Sequence, residues 1–241
     1  MAAMIMRAQG LTKTFGGIRA VDGVDFDLVQ GEIQALIGPN GAGKTTFVSL
    51  LSGRIPADAG QIFLGAKVIT TMPAYARVRL GVAYTFQITS IFPGLSVFDN
   101  VALAAQSRGA RELRAAVAEA LQRVGLLEFS DKIANTLSYG HQRLLELAMG
   151  LALAPRLLIL DEPTQGLAAG EIDRFVSLIR TLVPQMTVLL IEHNMEVVMD
   201  LADRITVLKA GRVLARGTPA EIQANVNVQA AYLGGSEIVA A

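Results

Sequence analysis

The stretch GPNGAGKTT, residues 38–46, constrains the fold more than any other part of this 241-residue sequence. It follows the apolar run IQALIG, residues 33–38, and leads into the helical pattern TTFVSLLSG. Its glycines allow successive backbone N–H groups to turn inward as an anion-binding nest, which the positive end of the helix reinforces. A strand, a glycine-rich turn and a helix in this order predict a parallel sheet with an anion site at the end of one strand.

The same stretch matches the pattern G-x-x-x-x-G-K-[ST] at every position, which predicts a nucleoside triphosphate site. Lys44 is expected to reach the β- and γ-phosphates, and the Thr45 hydroxyl is expected to bind Mg²⁺. A glycine-rich turn arising by chance is the alternative, but the flanking strand and helix argue against it. The predicted nucleotide-binding residues of this loop are Gly38, Asn40, Gly41, Gly43, Lys44, Thr45 and Thr46.

Two further apolar runs, LLILDE at 157–162 and TVLLIE at 187–192, are typical of strands buried on both faces. A helical pattern from Glu171 to Leu182 lies between them, and this alternation predicts an α/β fold with a parallel sheet. The first thirty residues and the stretch 61–69 alternate more between apolar and polar, which predicts a small antiparallel sheet.

The character of the sequence changes between about Gln87 and Ala154, where Ala, Leu and Arg recur with helical spacing. This segment is interpreted as a helical subdomain inserted into a P-loop NTPase core. The predicted division is a nucleotide-binding α/β core with its N-terminal antiparallel β-subdomain at 1–87 and 155–241, and an α-helical subdomain at 88–154.

Two adjacent acids end the run LLILDE, where a P-loop needs a group that orients the metal. Asp161 is predicted to hold Mg²⁺ through water, and Glu162 to polarise the attacking water. Either acid alone could instead cap the next helix. His193 follows the run TVLLIE and is predicted to face a phosphate, although a lone histidine at a strand end is more often structural.

Composition narrows the class of protein. Apolar residues make up 52% of the chain and charged residues 17%, which indicates a globular core, and the formal net charge of +0 gives no argument for nucleic acid as a partner. There is no cysteine, which excludes disulfides and thiol chemistry. The longest apolar candidate, Leu144 to Leu160, is interrupted by Glu146, Pro155 and Arg156, and the N-terminus lacks a signal-peptide pattern. These features predict a cytoplasmic chain.

Five motifs in order resemble those of the ATP-binding cassette (ABC) ATPases: the P-loop, Gln87 in YTFQ, LSYGHQR at 137–143, LLILDEPTQGL and IEHN. The resemblance covers essentially the whole chain. It implies a head-to-tail dimer, either a homodimer or a heterodimer with a second ABC ATPase. Two ATP molecules would lie between the P-loop of one subunit and the LSYGHQR signature of the other.

The resemblance also implies roles for individual residues. Phe15 would stack on adenine, although an aromatic in the core of a small sheet is an equal alternative. Gln87 would sense the γ-phosphate and bind Mg²⁺, and His193 would contact the γ-phosphate of its own subunit. Ser138, Gly140 and His141 would contact ATP bound to the partner.

The signature also has a physical interpretation. Ser138 is a good N-cap, with Leu144, Leu147 and Leu151 on the buried face of the helix that follows. A helix start of this kind suits a phosphate that arrives from outside the chain.

Two positions depart from the family pattern. His141 replaces the usual signature glutamine, which changes one contact between subunits and could make it sensitive to pH. Ala168 stands where many cassettes have an aspartate that forms hydrogen bonds across the dimer, and alanine cannot form them.

Details such as LSYG, the GL pair after DEPT and the terminal AYLG resemble the ATPase subunits of branched-chain amino-acid importers. Importers of urea and the lipopolysaccharide-export ATPase are near relatives. The resemblance implies integral-membrane permease subunits as partners, indirectly a solute-binding protein, and a peripheral position on the cytoplasmic face of the inner membrane.

The segment 88–101 is the predicted permease-binding surface, lined by Ile91, Phe92, Leu95, Val97 and Phe98. The alternative is that these residues fill the core of the helical subdomain. Two other classes of protein also remain open at this point: a P-loop kinase, and a soluble ABC protein that acts on DNA or ribosomes.

Overall fold

The computed structural model describes residues 3–85, 90–183 and 185–233. The strands are β1 Met4–Phe15, β2 Ile18–Val29, β3 Ile33–Ile37, β4 Ala59–Leu64, β5 Lys67–Val68, β6 Val82–Tyr84, β7 Leu157–Asp161, β8 Thr187–Ile191, β9 Arg204–Lys209 and β10 Arg212–Gly217. The α-helices are α1 Lys44–Ser52, α2 Ala74–Arg79, α3 Val97–Ser107, α4 Leu113–Arg123, α5 Tyr139–Ala152, α6 Ala169–Leu182, α7 Met195–Leu201, α8 Pro219–Gln223 and α9 Val226–Leu233. Short 3-10 helices span Leu127–Phe129 and Ala134–Thr136.

The predicted parallel sheet is confirmed. It has the strand order β10-β9-β3-β8-β7-β6, with antiparallel pairing only between β10 and β9 among the described strands. Every residue of β3, β7 and β8 is buried, as the continuous apolar runs predict. Because these strands run in the same direction, the residues that follow them meet at one edge of the sheet.

The predicted antiparallel sheet is also confirmed, with the order β2-β1-β4-β5. It packs over α1 and one face of the parallel sheet, where Phe26 and Phe47 meet edge to face at 5.2 Å between ring centroids. The other face of the parallel sheet shares one hydrophobic cluster with α3, α4, α5 and α6. The helical segment is therefore anchored to the sheet by apolar packing.

The helix that carries the signature is buried on more sides than the sequence predicts. Leu147 and Leu151 of α5 are buried, whereas Leu144 is only partly buried. Arg143 and Glu146 lie inside instead, and form an ion pair at 3.0 Å. The amphipathic pattern indicates one buried face, but α5 also packs against the sheet.

Arg77 of α2 is a buried cation, 1% exposed. Its guanidinium donates hydrogen bonds to the carbonyl oxygens of Leu50, Leu51, Thr70 and Met72. Burial lowers the pKa of Arg77 to about 10.

Replacing Arg77 with methionine is expected to lower the free energy of unfolding by about 2–4 kcal/mol, because buried carbonyls lose their donors. Urea denaturation measures this loss. Arg79→Met on the exposed side of the same helix is the matched control and is expected to change stability by about 0.5 kcal/mol or less. Equal stability of the two variants would show that the carbonyls do not need the guanidinium.

Candidate active site

The glycine-rich loop leads from the end of β3 into α1. Gly43 precedes the helix with a φ of 97°. A Cβ at this position would lie 2.1 Å from the carbonyl oxygen of Ala20, so only glycine fits without a shift of the backbone. The loop is therefore packed directly on the backbone of β2, which fixes its shape.

Lys44 begins α1 and is 6% exposed. Its Nζ donates hydrogen bonds to the carbonyl oxygens of Gly38 at 2.6 Å and Pro39 at 3.2 Å. Burial lowers the pKa of the ammonium group, while the charges of Glu162 and Asp161 act in the opposite direction. The ammonium group is thus held inside the phosphate loop, within electrostatic reach of both acids.

A cavity of about 260 Å³ opens at this loop and brings together residues predicted from three separate stretches of sequence. Its lining includes Asn40, Gly41, Gly43, Lys44, Thr45 and Thr46 from the loop, together with Glu162 and His193. A neighbouring cavity of about 780 Å³ is bordered by Gly38 and Asn40 and by the same Glu162 and His193. The predicted catalytic groups therefore face the predicted phosphate loop.

Asp161 ends β7 and is 2% exposed. Tyr84, the last residue of β6, donates a hydrogen bond from its hydroxyl to Oδ2 of Asp161 at 2.5 Å. Burial raises the pKa of the Asp161 carboxyl, and the nearby charge of Glu162 raises it further. Burial also raises the pKa of Tyr84, as does the hydrogen bond to Asp161. Tyr84 was not predicted as a site residue, because only the order of strands in the sheet places β6 beside β7.

Glu162 and His193 form a direct contact. Nε2 of His193 lies 2.8 Å from Oε1 of Glu162. The Glu162 side chain is 12% exposed and that of His193 is 44% exposed. The backbone of Glu162 is left-handed, with a φ of 48°, and its N–H donates to the carbonyl oxygen of Ile191 at 2.8 Å. This places a proton acceptor and an imidazole side by side at the phosphate cavity.

The signature stretch forms the start of α5. The hydroxyl of Ser138 accepts a hydrogen bond from the N–H of His141 at 3.3 Å, which confirms the predicted N-cap. A Cβ at Gly140 would lie 2.2 Å from Oε1 of Glu171, so the glycine leaves room for this carboxylate. The His141 ring lies 4.9 Å from the ring of Phe129.

The residues predicted to act across a dimer lie apart from the phosphate cavities of their own chain. Among the described residues that line the two cavities, none belongs to 138–141, and Phe15 is also absent. Phe15 is 49% exposed, which excludes the alternative that it fills a small core. The predicted role of Gln87 falls on a position outside the described residues.

Comparison with known proteins decides the family. The family model for the ABC transporter domain matches residues 21–165. The high-affinity branched-chain amino acid transport ATP-binding protein BraF of Pseudomonas aeruginosa is 39% identical over 97% of this chain and 99% of that protein.

This chain belongs to the ABC transporter ATPases.

Further matches agree with this assignment. LivG of Escherichia coli K12, a high-affinity branched-chain amino acid transport ATP-binding protein, is 38% identical over 97% of this chain and 99% of that protein. A second family model, the branched-chain amino acid ATP-binding cassette transporter, matches residues 212–238.

Solved structures give the same result for the fold. A nucleotide-free ATP-binding cassette from an ABC transporter superposes with a TM-score of 0.88 at 25% identity, over 95% of this chain and 98% of that one. The ADP conformation of the cassette MJ1267 gives 0.85 at 25% identity, over 96% and 99%. The predicted α/β P-loop NTPase fold is thus confirmed.

Membership in the family establishes that this ABC ATPase binds nucleotide and hydrolyses ATP as the subunit of a transporter. The P-loop kinase and the soluble ABC protein acting on DNA or ribosomes are therefore excluded. Within the described residues, no helix has both the length and the apolar character needed to span a bilayer.

Proposed function

We propose that this ABC ATPase powers the import of branched-chain amino acids. The observation that carries the proposal is the identity of 38–39% to BraF and LivG over nearly the whole chain, reinforced by the C-terminal match at 212–238. The geometry of the site supports the chemistry, since a carboxylate and an imidazole face the glycine-rich loop in one cavity.

The nucleotide would be held by the loop from Gly38 to Thr46, with its phosphates on the loop N–H groups and on Lys44. Phe15, half exposed near the end of β1, would stack on the adenine. Glu162 would take a proton from the attacking water, and His193 at 2.8 Å would orient Glu162 and contact the γ-phosphate.

The oxygen groups near the loop fit Mg²⁺. Mg²⁺ prefers carboxylate and hydroxyl oxygens, which Asp161 and Thr45 supply, with Gln87 proposed as a third contact. The Tyr84 hydroxyl engages Oδ2 of Asp161, which orients the carboxylate. When bound, the ion would neutralise charge on the β- and γ-phosphates.

Ser138, Gly140 and His141 are proposed to close over the phosphates of a second ABC ATPase. They begin α5, where N–H groups and the positive helix end favour an anion, and they lie away from the phosphate cavities of their own chain. A dimer of this kind completes each site with groups from both subunits. The chain would bind a permease at the cytoplasmic face of the membrane, and a solute-binding protein would deliver the solute to that permease.

The proposed permease-binding surface needs one correction. Val97 is fully buried at the start of α3, because this first helical turn faces the core, and it cannot line a groove. Phe92 is 51% exposed and Leu95 is 37% exposed, while Ile91 and Phe98 are partly buried against the core. Ile133 is 43% exposed and lies beside Leu95. The next residue, Ala134, donates a hydrogen bond from its N–H to the carbonyl oxygen of Leu95.

Replacing Phe92 with glutamate is expected to abolish uptake of labelled leucine while basal ATP hydrolysis stays within about twofold of the wild type. A buried charge at an apolar contact costs several kcal/mol, whereas the charge remains solvated in the free ATPase. The test restores the chain to cells that lack it and measures leucine uptake and co-purification of membrane proteins.

Tyr75→Glu is the matched control, since this tyrosine is 67% exposed on α2, outside the proposed surface. It is expected to support normal uptake. Normal uptake by Phe92→Glu at equal expression would refute the surface, and normal leucine uptake in cells that lack the chain would refute the proposed solute.

A further inference from the structure

Glu192 follows β8 directly and precedes His193 in the same loop. It is 4% exposed, although acidic side chains are almost never buried unless their charge is compensated. The sequence marks it only as the acid that ends an apolar run. None of the roles proposed for its neighbours uses it.

Both oxygens of the Glu192 carboxylate accept hydrogen bonds. Oε1 accepts from the N–H of Thr164 at 3.0 Å and from the Thr164 hydroxyl at 2.5 Å. Oε2 accepts from the N–H of His193 at 2.9 Å and from the N–H of Asn194 at 3.2 Å. One carboxylate therefore ties the loop after Glu162 to the loop that carries His193.

These donors also compensate the buried charge. Across the part of the chain that the structure describes, no lysine or arginine pairs with Glu192. Hydrogen bonds to a charged acceptor are roughly twice as strong as neutral ones. If the loops separated, the carboxylate would lose the two donors of Thr164, which is costly. Glu192 thus favours the arrangement in which both loops stay together.

Glu162 needs such support because its backbone is left-handed, with a φ of 48°. This conformation costs a residue with a side chain about 1–2 kcal/mol and persists only where its surroundings hold it. The carbonyl oxygen of Ile191 accepts a hydrogen bond from the N–H of Glu162. The carboxylate of Glu192 accepts one from the N–H of Thr164, two residues after Glu162. Ile191 and Glu192 therefore hold the loop at two points, the N–H of Glu162 and the N–H of Thr164.

We propose that Glu192 is a positioning residue that keeps Glu162 and His193 in their working geometry. This proposal rests on the proposed role of Glu162 as the general base. Among the described residues, no hydrogen bond joins Glu192 to the phosphate loop, so its loss is expected to slow hydrolysis without weakening ATP binding.

The test is Glu192→Gln, which keeps the size of the side chain but turns an amide NH₂ toward one pair of donors. The single-turnover rate of ATP hydrolysis is expected to fall by about 10-fold or more, because displacement of a catalytic group by about 1 Å costs about 10²-fold. The dissociation constant of ATP is expected to stay within about twofold. Glu196→Gln, the same change at an exposed position, is the control and is expected to leave both values unchanged.

A positioning role also predicts that the effects are not additive. The loss in the double variant Glu162→Gln/Glu192→Gln is expected to be smaller than the product of the two single losses, because both changes disable Glu162. Single losses that multiply in full would show that Glu192 acts independently of Glu162 and would overturn the proposal. So would wild-type turnover by Glu192→Gln.

The controls separate this proposal from the proposed function. Wild-type turnover by Glu162→Gln would refute the role of Glu162 as general base, and this proposal with it. Wild-type turnover by Glu192→Gln alone would refute only the role of Glu192. If Glu192→Gln does not fold, Thr164→Val takes its place, since it removes only the hydroxyl that donates a hydrogen bond to Glu192. It is expected to slow hydrolysis severalfold, and an unchanged rate would overturn the proposal.

Discussion

Replacing Glu162 with glutamine is expected to leave ATP binding intact and to slow hydrolysis by about 10²–10⁴-fold, the usual contribution of a general base. This corresponds to about 3–5 kcal/mol of activation free energy. Glutamine keeps the size of the side chain at the phosphate cavity, but its amide cannot take a proton from water. Single-turnover hydrolysis and equilibrium binding of ATP measure the two effects separately.

The size of the loss identifies the role of Glu162. Glu119→Gln alters a carboxylate that is 66% exposed on α4, and it is expected to hydrolyse ATP at the rate of the wild type. If Glu162→Gln kept more than about half of the wild-type rate, the base would have to be another group. His193, at 2.8 Å from Glu162, would then be the first candidate.

Replacing Gly43 with alanine is expected to weaken ATP binding by about 100-fold or more. A Cβ at this position would lie 2.1 Å from the carbonyl oxygen of Ala20, and the neighbouring atom is backbone, which cannot rotate away. Overpacking costs about 1–3 kcal/mol, to which the φ of 97° adds strain. A loop that shifts to relieve this overlap moves its N–H groups away from the phosphates. Titration with a fluorescent ATP analogue measures the loss.

Gly125→Ala isolates the steric part of this effect. Gly125 also has a positive φ, 72°, but no atom lies within 4 Å of the added Cβ. This control therefore shares the backbone strain and lacks the overlap, and it is expected to bind ATP normally with a small loss of stability. ATP binding by Gly43→Ala as tight as that of Gly125→Ala would contradict the packing of the loop on Ala20.

Local patterns predicted much of the molecule. The apolar runs that end at Asp161 and at Glu192 form buried parallel strands, and the loop at 38–46 joins a strand to a helix. The cap of α8 is another local feature, in which the Thr218 hydroxyl accepts a hydrogen bond from the N–H of Glu221. These features depend on residues close together in the sequence, which is why the pattern alone determines them.

The errors and omissions have a common cause. Val97 was predicted to line a surface but is buried. The apolar spacing of α3 does not indicate which of its turns packs into the core. Tyr84 and Asp161 are 77 positions apart, and Thr164 and Glu192 are 28 apart. Strand order and register bring such pairs together, and neither is visible in a local pattern.

The sequence by itself determined the class of fold, the phosphate loop and the acids at the strand ends, because glycine conformations and buried strands are properties of short segments. The boundary of the helical subdomain at 88–154 stays a prediction. Only the tertiary structure decided that Glu162 adopts a left-handed backbone beside His193, and that the carboxylate of Glu192 joins their two loops. These contacts exist because β7 and β8 are neighbours in the sheet, and that adjacency arises only when the whole chain folds.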